Sequence, residues 1–291
     1  MKVKFLPSFL ILSSLALVLF VILLFLKSKP AYSLPKVIWQ FWDKEELPPV
    51  IKLTKENNAK KLLGWTIRYL NEKTVWDYVS RSDVPPSYDK LYAAHKADWL
   101  RLYLLKKYGG VWMDASIIIN DAKAVDELYT RSLQKESELT VFQFKTFINV
   151  ENWFIMAPEK SRMIEAWYNE YDSAIRMGFL NYKKMLWVEG VDTSCGRDED
   201  KPVETYFTQH YCMQRILQKG LVVNPNIIVN EAKDTMLKID YICDIKEKDE
   251  RMACLTKNYL NFDTLRSLPY IKVNGINREL PVKWKEYLET N

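Results

Sequence analysis

Residues 91–119, LYAAHKADWLRLYLLKKYGGVWMDASIII, leave the chain few ways to fold. The run 92–108 lacks Gly and Pro, and Leu91, Ala94, Ala97, Leu100, Leu104 and Tyr108 fall near a helical period. Gly109-Gly110 ends the helix, because glycine takes the left-handed backbone position that commonly closes one. Val111-Trp112-Met113 is a short apolar run of the kind buried in a sheet. Asp114 then stands at a strand's carboxyl end, where open α/β sheets place their ligand sites.

Strand and helix also alternate upstream. KVIWQFW (36–42) and WTIRYL (65–70) read as strands, 50–63 as a helix, and Thr74 as the cap of a turn containing Trp76 and Tyr78. This alternation predicts an α/β unit with a largely parallel sheet. Beyond Asp114 the pattern predicts strands at 117–119, 139–144 and 152–157. Helices are expected at 125–133, 161–176 and 203–218, an irregular stretch at 177–202, and a tail of short strands and loops.

The net charge of +5 suggests an anionic polymer as partner, but the charge is not spread over the chain. Lys2, Lys4, Lys27, Lys29 and Lys36 sit in the first 36 residues without an acid, leaving 37 basic against 37 acidic residues elsewhere. No nucleic-acid partner is expected. Those lysines flank residues 5–26, which carry no charge. About 22 residues at ~1.5 Å rise span roughly 33 Å, enough for a bilayer core. A signal peptide cleaved near Ala31-Tyr32-Ser33 is the alternative, but its apolar region is usually only about 7–15 residues long.

The expected organisation is a short tail (1–4), a transmembrane signal anchor (5–26), a Pro-containing stem (27–35) and a globular domain (36–291). Lys2 and Lys4 favour a cytoplasmic amino terminus and a single-pass type II protein; Lys27, Lys29 and Lys36 weigh against it. The compartments that fit are the Golgi membrane and, as the alternative, a bacterial inner membrane.

Cys195, Cys212, Cys243 and Cys254 include no C-x-x-C pair, and the only histidines are His95 and His210, which argues against structural zinc. An oxidising lumen would permit two disulfides, with Cys243 and Cys254 around the charged loop DIKEKDERMA as the first pair to expect. Four reduced thiols are the alternative.

Singly, the polar residues of 91–119 say little: Asp98 and Arg101 share a helix face as any ion pair does, and Asp114 suits a turn. Together, Ala94, Asp98, Arg101, Leu105, Gly109, Gly110, Val111, Trp112, Asp114, Ala115 and Ser116 make a motif. It resembles that of the sugar transferases related to yeast-type α-1,6-mannosyltransferases, and most nearly the capsular polysaccharide synthesis branch. KVIWQFW, ENWFIMA (151–157) and YFTQHY (206–211) also resemble that branch in type and order. The resemblance spans most of residues 36–220.

It implies a GT-A-like single domain, a Rossmann-like mixed α/β sheet flanked by helices, behind one transmembrane helix. The implied activity is transfer of a sugar from a UDP- or GDP-sugar to a glycan or polysaccharide acceptor, with retention at the anomeric carbon. In such families an Asp-x-Asp motif holds Mn²⁺ or Mg²⁺ against the donor diphosphate. This chain has Asp114-Ala115-Ser116, so one carboxylate is missing; Asp114 with His210 or Asp192 is the expected metal set. The resemblance further implies Asp114, Asp192 and Glu151 as catalytic candidates, and Trp39, Asp98, Arg101, Asp114, Ser116 and Asn152 at the donor. His95 reads as structural. The missing carboxylate also admits an inactive relative that binds a glycan or a partner. A sulfotransferase would want a Gly-rich phosphate loop after an early strand, and residues 36–80 have none.

Overall fold

The computed structural model describes residues 32–143, 150–194, 205–278, 280 and 282–290. The expected span at 5–26 and Cys195 lie outside the described residues. Among those described, no helix is long and apolar enough to cross a membrane.

The strands are β1 (Val37–Phe41), β2 (Thr66–Leu70), β3 (Gly110–Met113), β4 (Ile117–Ile119), β5 (Leu139–Gln143), β6 (Val150–Ala157), β7 (Ile227–Glu231) and β8 (Tyr270–Lys272). Six form the main sheet in the order β2-β1-β3-β6-β5-β7, and β4 pairs with β8 in a second, antiparallel sheet. β1 lies parallel to β2 and β3, and β5 to β7, but β6 runs antiparallel to both β3 and β5. The sheet is therefore mixed. β6 follows β5 too closely in sequence for the crossover that parallel neighbours need.

The helices are α1 (Pro49–Lys61), α2 (Ala93–Tyr108), α3 (Ala122–Gln134), α4 (Arg162–Met177), α5 (Phe179–Val188), α6 (Thr208–Gln218), α7 (Lys238–Ile242), α8 (Lys248–Tyr259), α9 (Phe262–Arg266), α10 (Gly275–Arg278) and α11 (Trp284–Glu289). The expected irregular stretch at 177–202 thus holds a helix, α5. Its inward face carries Phe179, Tyr182, Met185 and Leu186, but Leu180, Trp187 and Val188 are exposed, so apolar residues stand on both faces and blur the period. The tail is mostly short helices rather than loops. Its side chains, with Val50, Ile51 and Ile118, build a second apolar core around Leu255, Tyr259, Ile271, Trp284 and Tyr287. The expected turn is residues 74–77, with Lys73 rather than Thr74 at the cap position and no side-chain cap; Asn71 Oδ1 accepts from the backbone N–H of Lys73 and Thr74, at 2.9 and 3.0 Å.

α2 departs from the expected one-sided helix, since residues 98–105 are all buried while Ala93 and Ala94 are exposed. It runs through the main core, with Trp99, Leu100, Leu102 and Leu104 at 0% exposure. Asp98 and Arg101 are therefore carried inside the molecule and need partners there.

Gly109 and Gly110 turn the chain from α2 into β3 with φ of 61° and 96°. A Cβ on Gly110 would meet Val37 Cγ1 at 2.5 Å and Val37 O at 2.6 Å; one on Gly109 would meet Glu159 N at 2.7 Å. Gly110 is thus required by close approach of β1, Gly109 by that of the segment after β6, and both by backbone sign. Gly110→Ala is expected to cost on the order of 3 kcal/mol, through positive φ and the clash with β1, read as a lowered thermal midpoint of the full chain.

Candidate functional site

β1 and β3 end on the same side of the main sheet, and antiparallel β6 begins there. Phe41, Trp42 and Asp43 leave β1, Asp114 to Ser116 leave β3, and Glu151 and Asn152 open β6; all line one cleft of about 890 Å³. α2 contributes Asp98 and Arg101, residues 206–210 contribute Tyr206, Phe207 and His210, and the tail closes the far wall.

Asp114 sits where the two sheets meet. Its backbone N–H donates to Trp153 O at 2.9 Å, and its carbonyl accepts from Ile117 N at 3.0 Å, so the turn into β4 is fixed. Ser116 O accepts from Val273 N at 3.0 Å, which ties the same turn to the tail. On the side chain, Oδ1 accepts from Trp112 Nε1 at 2.9 Å and from Arg101 at 3.4 Å; Oδ2 accepts from Lys272 Nζ at 2.7 Å. Burial pushes the carboxyl's pKa up, but the charges of Lys272 and Arg101 outweigh it and hold the group below its ordinary value. The stability from this pairing is therefore present above the ordinary carboxyl range and is lost only as pH falls through the lowered value.

Asp98 and Arg101 form a buried ion pair within α2. Asn152 Nδ2 donates to Asp98 Oδ1 at 3.1 Å and to Gln209 Oε1 at 2.7 Å, and Gln209 Oε1 also accepts from Arg101 at 2.6 Å. Tyr171 Oη donates to Asp98 Oδ2 at 3.3 Å and lies 3.2 Å from His95 Nδ1. Asp98 lines the cleft and also holds Arg101, which in turn reaches Asp114. Gln209 was not among the expected residues. Its backbone carbonyl accepts from Trp167 Nε1 at 2.8 Å, and only the packing of α6 on α4 reveals its role.

The other expected residues divide. Glu151, buried, accepts from Trp153 Nε1 at 2.8 Å, and Asn152, Ser116 and His210 also line the cleft. Trp39 does not: it is buried in the core, donates from Nε1 to Gly109 O at 3.0 Å and packs on Tyr78 and Tyr108. Asp192 does not either, because it belongs to an exposed turn after α5, where Oδ1 accepts from Ser194 N at 2.8 Å. His95 is structural, as expected. Cys243 and Cys254 form a disulfide, and Cys212 is free and buried.

The tail supplies what sequence reading missed. Lys246, Lys248, Arg251, Lys272 and Arg278 line the cleft, and the disulfide brackets the first three. Beside them lies Asp240, whose carboxyl burial pushes up in pKa against hydrogen bonds from Asn274, Asn277 and Tyr259.

A divalent cation fits this donor set poorly. Both Asp114 oxygens already meet cationic or N–H donors, an ammonium stands against Oδ2, and Ser116 is neutral. Among the described residues no group of three or more His, Cys, Asp or Glu is placed to hold a metal. Of the residues expected around Mn²⁺ or Mg²⁺, Asp114 and His210 both line the cleft, whereas Asp192 lies outside it.

Comparison with known proteins bears on the same segment. Residues 23–173 match the family described as capsular polysaccharide synthesis protein. The chain belongs to that family. The family resemblance drawn from residues 94–116 is thereby met. No curated protein matches the sequence. Solved structures similar to it include the PaToxG glycosyltransferase, 17% identical over 66% of this chain and 80% of that one, with a TM-score of 0.37. A glycosyltransferase involved in the glycosylation of the major capsid of PBCV-1 is 12% identical over 88% and 98%, TM-score 0.40. The ligand-free glycosyltransferase domain from the YGT toxin is 10% identical over 81% and 90%, TM-score 0.39. At such scores these structures do not bear on individual residues of the cleft.

Asp98→Ala would leave the buried guanidinium only the longer contact to Asp114 and the bond to Gln209, and is expected to destabilise the full chain by about 2–3 kcal/mol in denaturant unfolding. Trp39→Phe loses only the bond to Gly109 and some packing. It is expected to cost about 1–2 kcal/mol while leaving nucleotide affinity unchanged, measured by calorimetry.

Proposed function

We propose that this chain is a glycosyltransferase that moves a sugar from a nucleoside diphosphate sugar to a glycan or polysaccharide acceptor, with retention. The observation that carries this reading is the cleft at the carboxyl ends of β1 and β3. There the family's Asp98–Arg101–Asp114 framework faces the cationic wall of Lys246, Lys248, Arg251, Lys272 and Arg278. Its volume, about 890 Å³, suits a ligand of nucleotide-sugar size.

The reaction breaks the bond between the anomeric carbon and the diphosphate oxygen and makes one to an acceptor oxygen. The hydroxyl proton leaves to the departing phosphate or to a cleft carboxylate. Negative charge grows on the diphosphate as it departs, so fixed cations at that point lower the barrier. Arg101 and Lys272, locked on Asp114, are such cations, and they need no reorganisation when the charge develops. Trp42, with Arg278 5.4 Å from its ring centre, offers an aromatic face to a base or a sugar. Retention calls for same-face attack guided by the departing phosphate, or for a carboxylate nucleophile; of the expected catalytic carboxylates the cleft contains Asp114, held by Lys272 and Arg101, and Glu151.

Residues 5–26 anchor the protein in this reading, as a single-pass type II membrane protein. The Cys243–Cys254 disulfide suits an oxidising compartment, the Golgi lumen first and the outer face of a bacterial inner membrane second.

The reading is tested on the full chain in detergent with a panel of UDP- and GDP-sugars, following release of the nucleoside diphosphate with and without glycan acceptors. At least one donor is expected to be hydrolysed or transferred, and Asp114→Asn to lower kcat/KM about 100-fold or more. Silence across the panel, or an unimpaired Asp114→Asn variant, would overturn it.

A further inference from the structure

Lys272 occupies a position that the motif alone does not anticipate. Its Nζ lies 2.7 Å from Asp114 Oδ2 and 3.5 Å from Ser116 Oγ, so it bridges the two side chains that would flank a metal in an Asp-x-Asp sequence. The placement is built into the fold. Lys272 pairs with Ile117 across the β4–β8 sheet, its N–H donates to Met236 O at 3.1 Å, and its carbonyl accepts from Tyr259 Oη at 3.3 Å. The side chain is only 11% exposed, yet it lines the cleft.

The charges balance as they would around a metal. Two carboxylates and a divalent cation sum to zero, and so do one carboxylate, a neutral serine and an ammonium. In this chain the neutral Ser116 and the ammonium of Lys272 stand together beside Asp114. A second carboxylate beside Lys272 would leave a net negative site, repelling a diphosphate, unless a cation were recruited. On the other side of Asp114, Arg101 lies over the Trp112 ring, 5.1 Å from its centre. The diphosphate thus meets cations already in place.

We propose that Lys272 is the built-in cation of the donor site, taking the place of a divalent metal against the diphosphate, so that the chain binds nucleoside diphosphates without metal. This rests on the donor-cleft reading above. An ammonium offers a single charge and three donors on a strand that is itself tied down; it orients phosphate oxygens by hydrogen bonds and needs no open coordination positions.

The test is calorimetric binding of UDP and GDP to the full detergent-solubilised chain, in EDTA and in Mn²⁺, with thermal melts to confirm folding. For the wild type, one nucleotide is expected to bind with the same Kd in both conditions. Lys272→Ala is expected to weaken binding about tenfold or more in EDTA, and Lys272→Arg to retain most of it. The double variant Ser116→Asp/Lys272→Ala is expected to bind only when Mn²⁺ is supplied. Wild-type binding that appears only with Mn²⁺, or a folded Lys272→Ala variant with unchanged Kd in EDTA, would overturn the proposal and leave the donor cleft standing. If Lys272→Ala does not fold, Lys272→Arg and the wild-type comparison still decide. Failure of both nucleotides to bind in either condition would overturn the cleft reading and this proposal with it.

Discussion

A carboxylate at the junction of two sheets needs cations, and in this protein that need organises the site. Asp114 ends β3, is anchored through its backbone to β6, and takes Arg101 from α2 and Lys272 from β8. The three elements come from residues 101, 114 and 272, so the main sheet, the buried helix α2 and the β4–β8 sheet are tied together by one charge. An ionised carboxylate without such partners would cost several kcal/mol to place there, and removing either partner would return part of that cost. The arrangement fixes electrostatics before any ligand arrives, which is the condition under which fixed charges lower a barrier most.

Behind Asp114 lies a second tier. Asp98 neutralises Arg101, Asn152 and Gln209 add further hydrogen bonds, and Tyr171 and His95 extend the cluster from α4 and α2, while Arg101 Nε keeps no hydrogen-bond partner among the described residues. Burial pushes the Tyr171 hydroxyl well above its ordinary pKa, aided by the negative charge of Asp98, so it remains a donor to that carboxylate. Such a network is worth most when every member is satisfied, because the same low dielectric that strengthens each bond penalises an unpaired group. The aim of Arg101 therefore depends on α4 and α6, neither of which supplies an ion-pair partner to it.

The tail contributes charge where the whole chain has little to spare. Outside the first 36 residues the charges cancel, yet five basic residues of the tail converge on one wall of the cleft. The disulfide closes the loop that carries three of them. By loop-entropy reasoning such a closure stabilises a folded loop by on the order of 3 kcal/mol. The second apolar core, shared by α1 and the tail helices, keeps that wall against the sheet.

Much of this was legible in the residues. The helix, the glycine stop, the strand and the terminal aspartate are local: they follow from periodicity, from backbone sign and from apolar runs, and they led to the right family. The disulfide followed from two cysteines around a charged loop. What the sequence could not determine are the meetings of distant parts. The resemblance put Trp39 at the donor, but it fills the core, because an aromatic side chain in a strand has the same pattern whichever face is covered. Asp192 looked available, but it spends its carboxylate on its own turn. Gln209 and Lys272 gave no signal, since a glutamine in a helix and a lysine in a short strand are ordinary. Only the packing of α6 on α4, and the pairing of β8 with β4, bring them within hydrogen-bond range of α2 and Asp114. Local propensity decides which elements form, whereas the charge balance of the cleft is decided by contacts between residues more than a hundred positions apart.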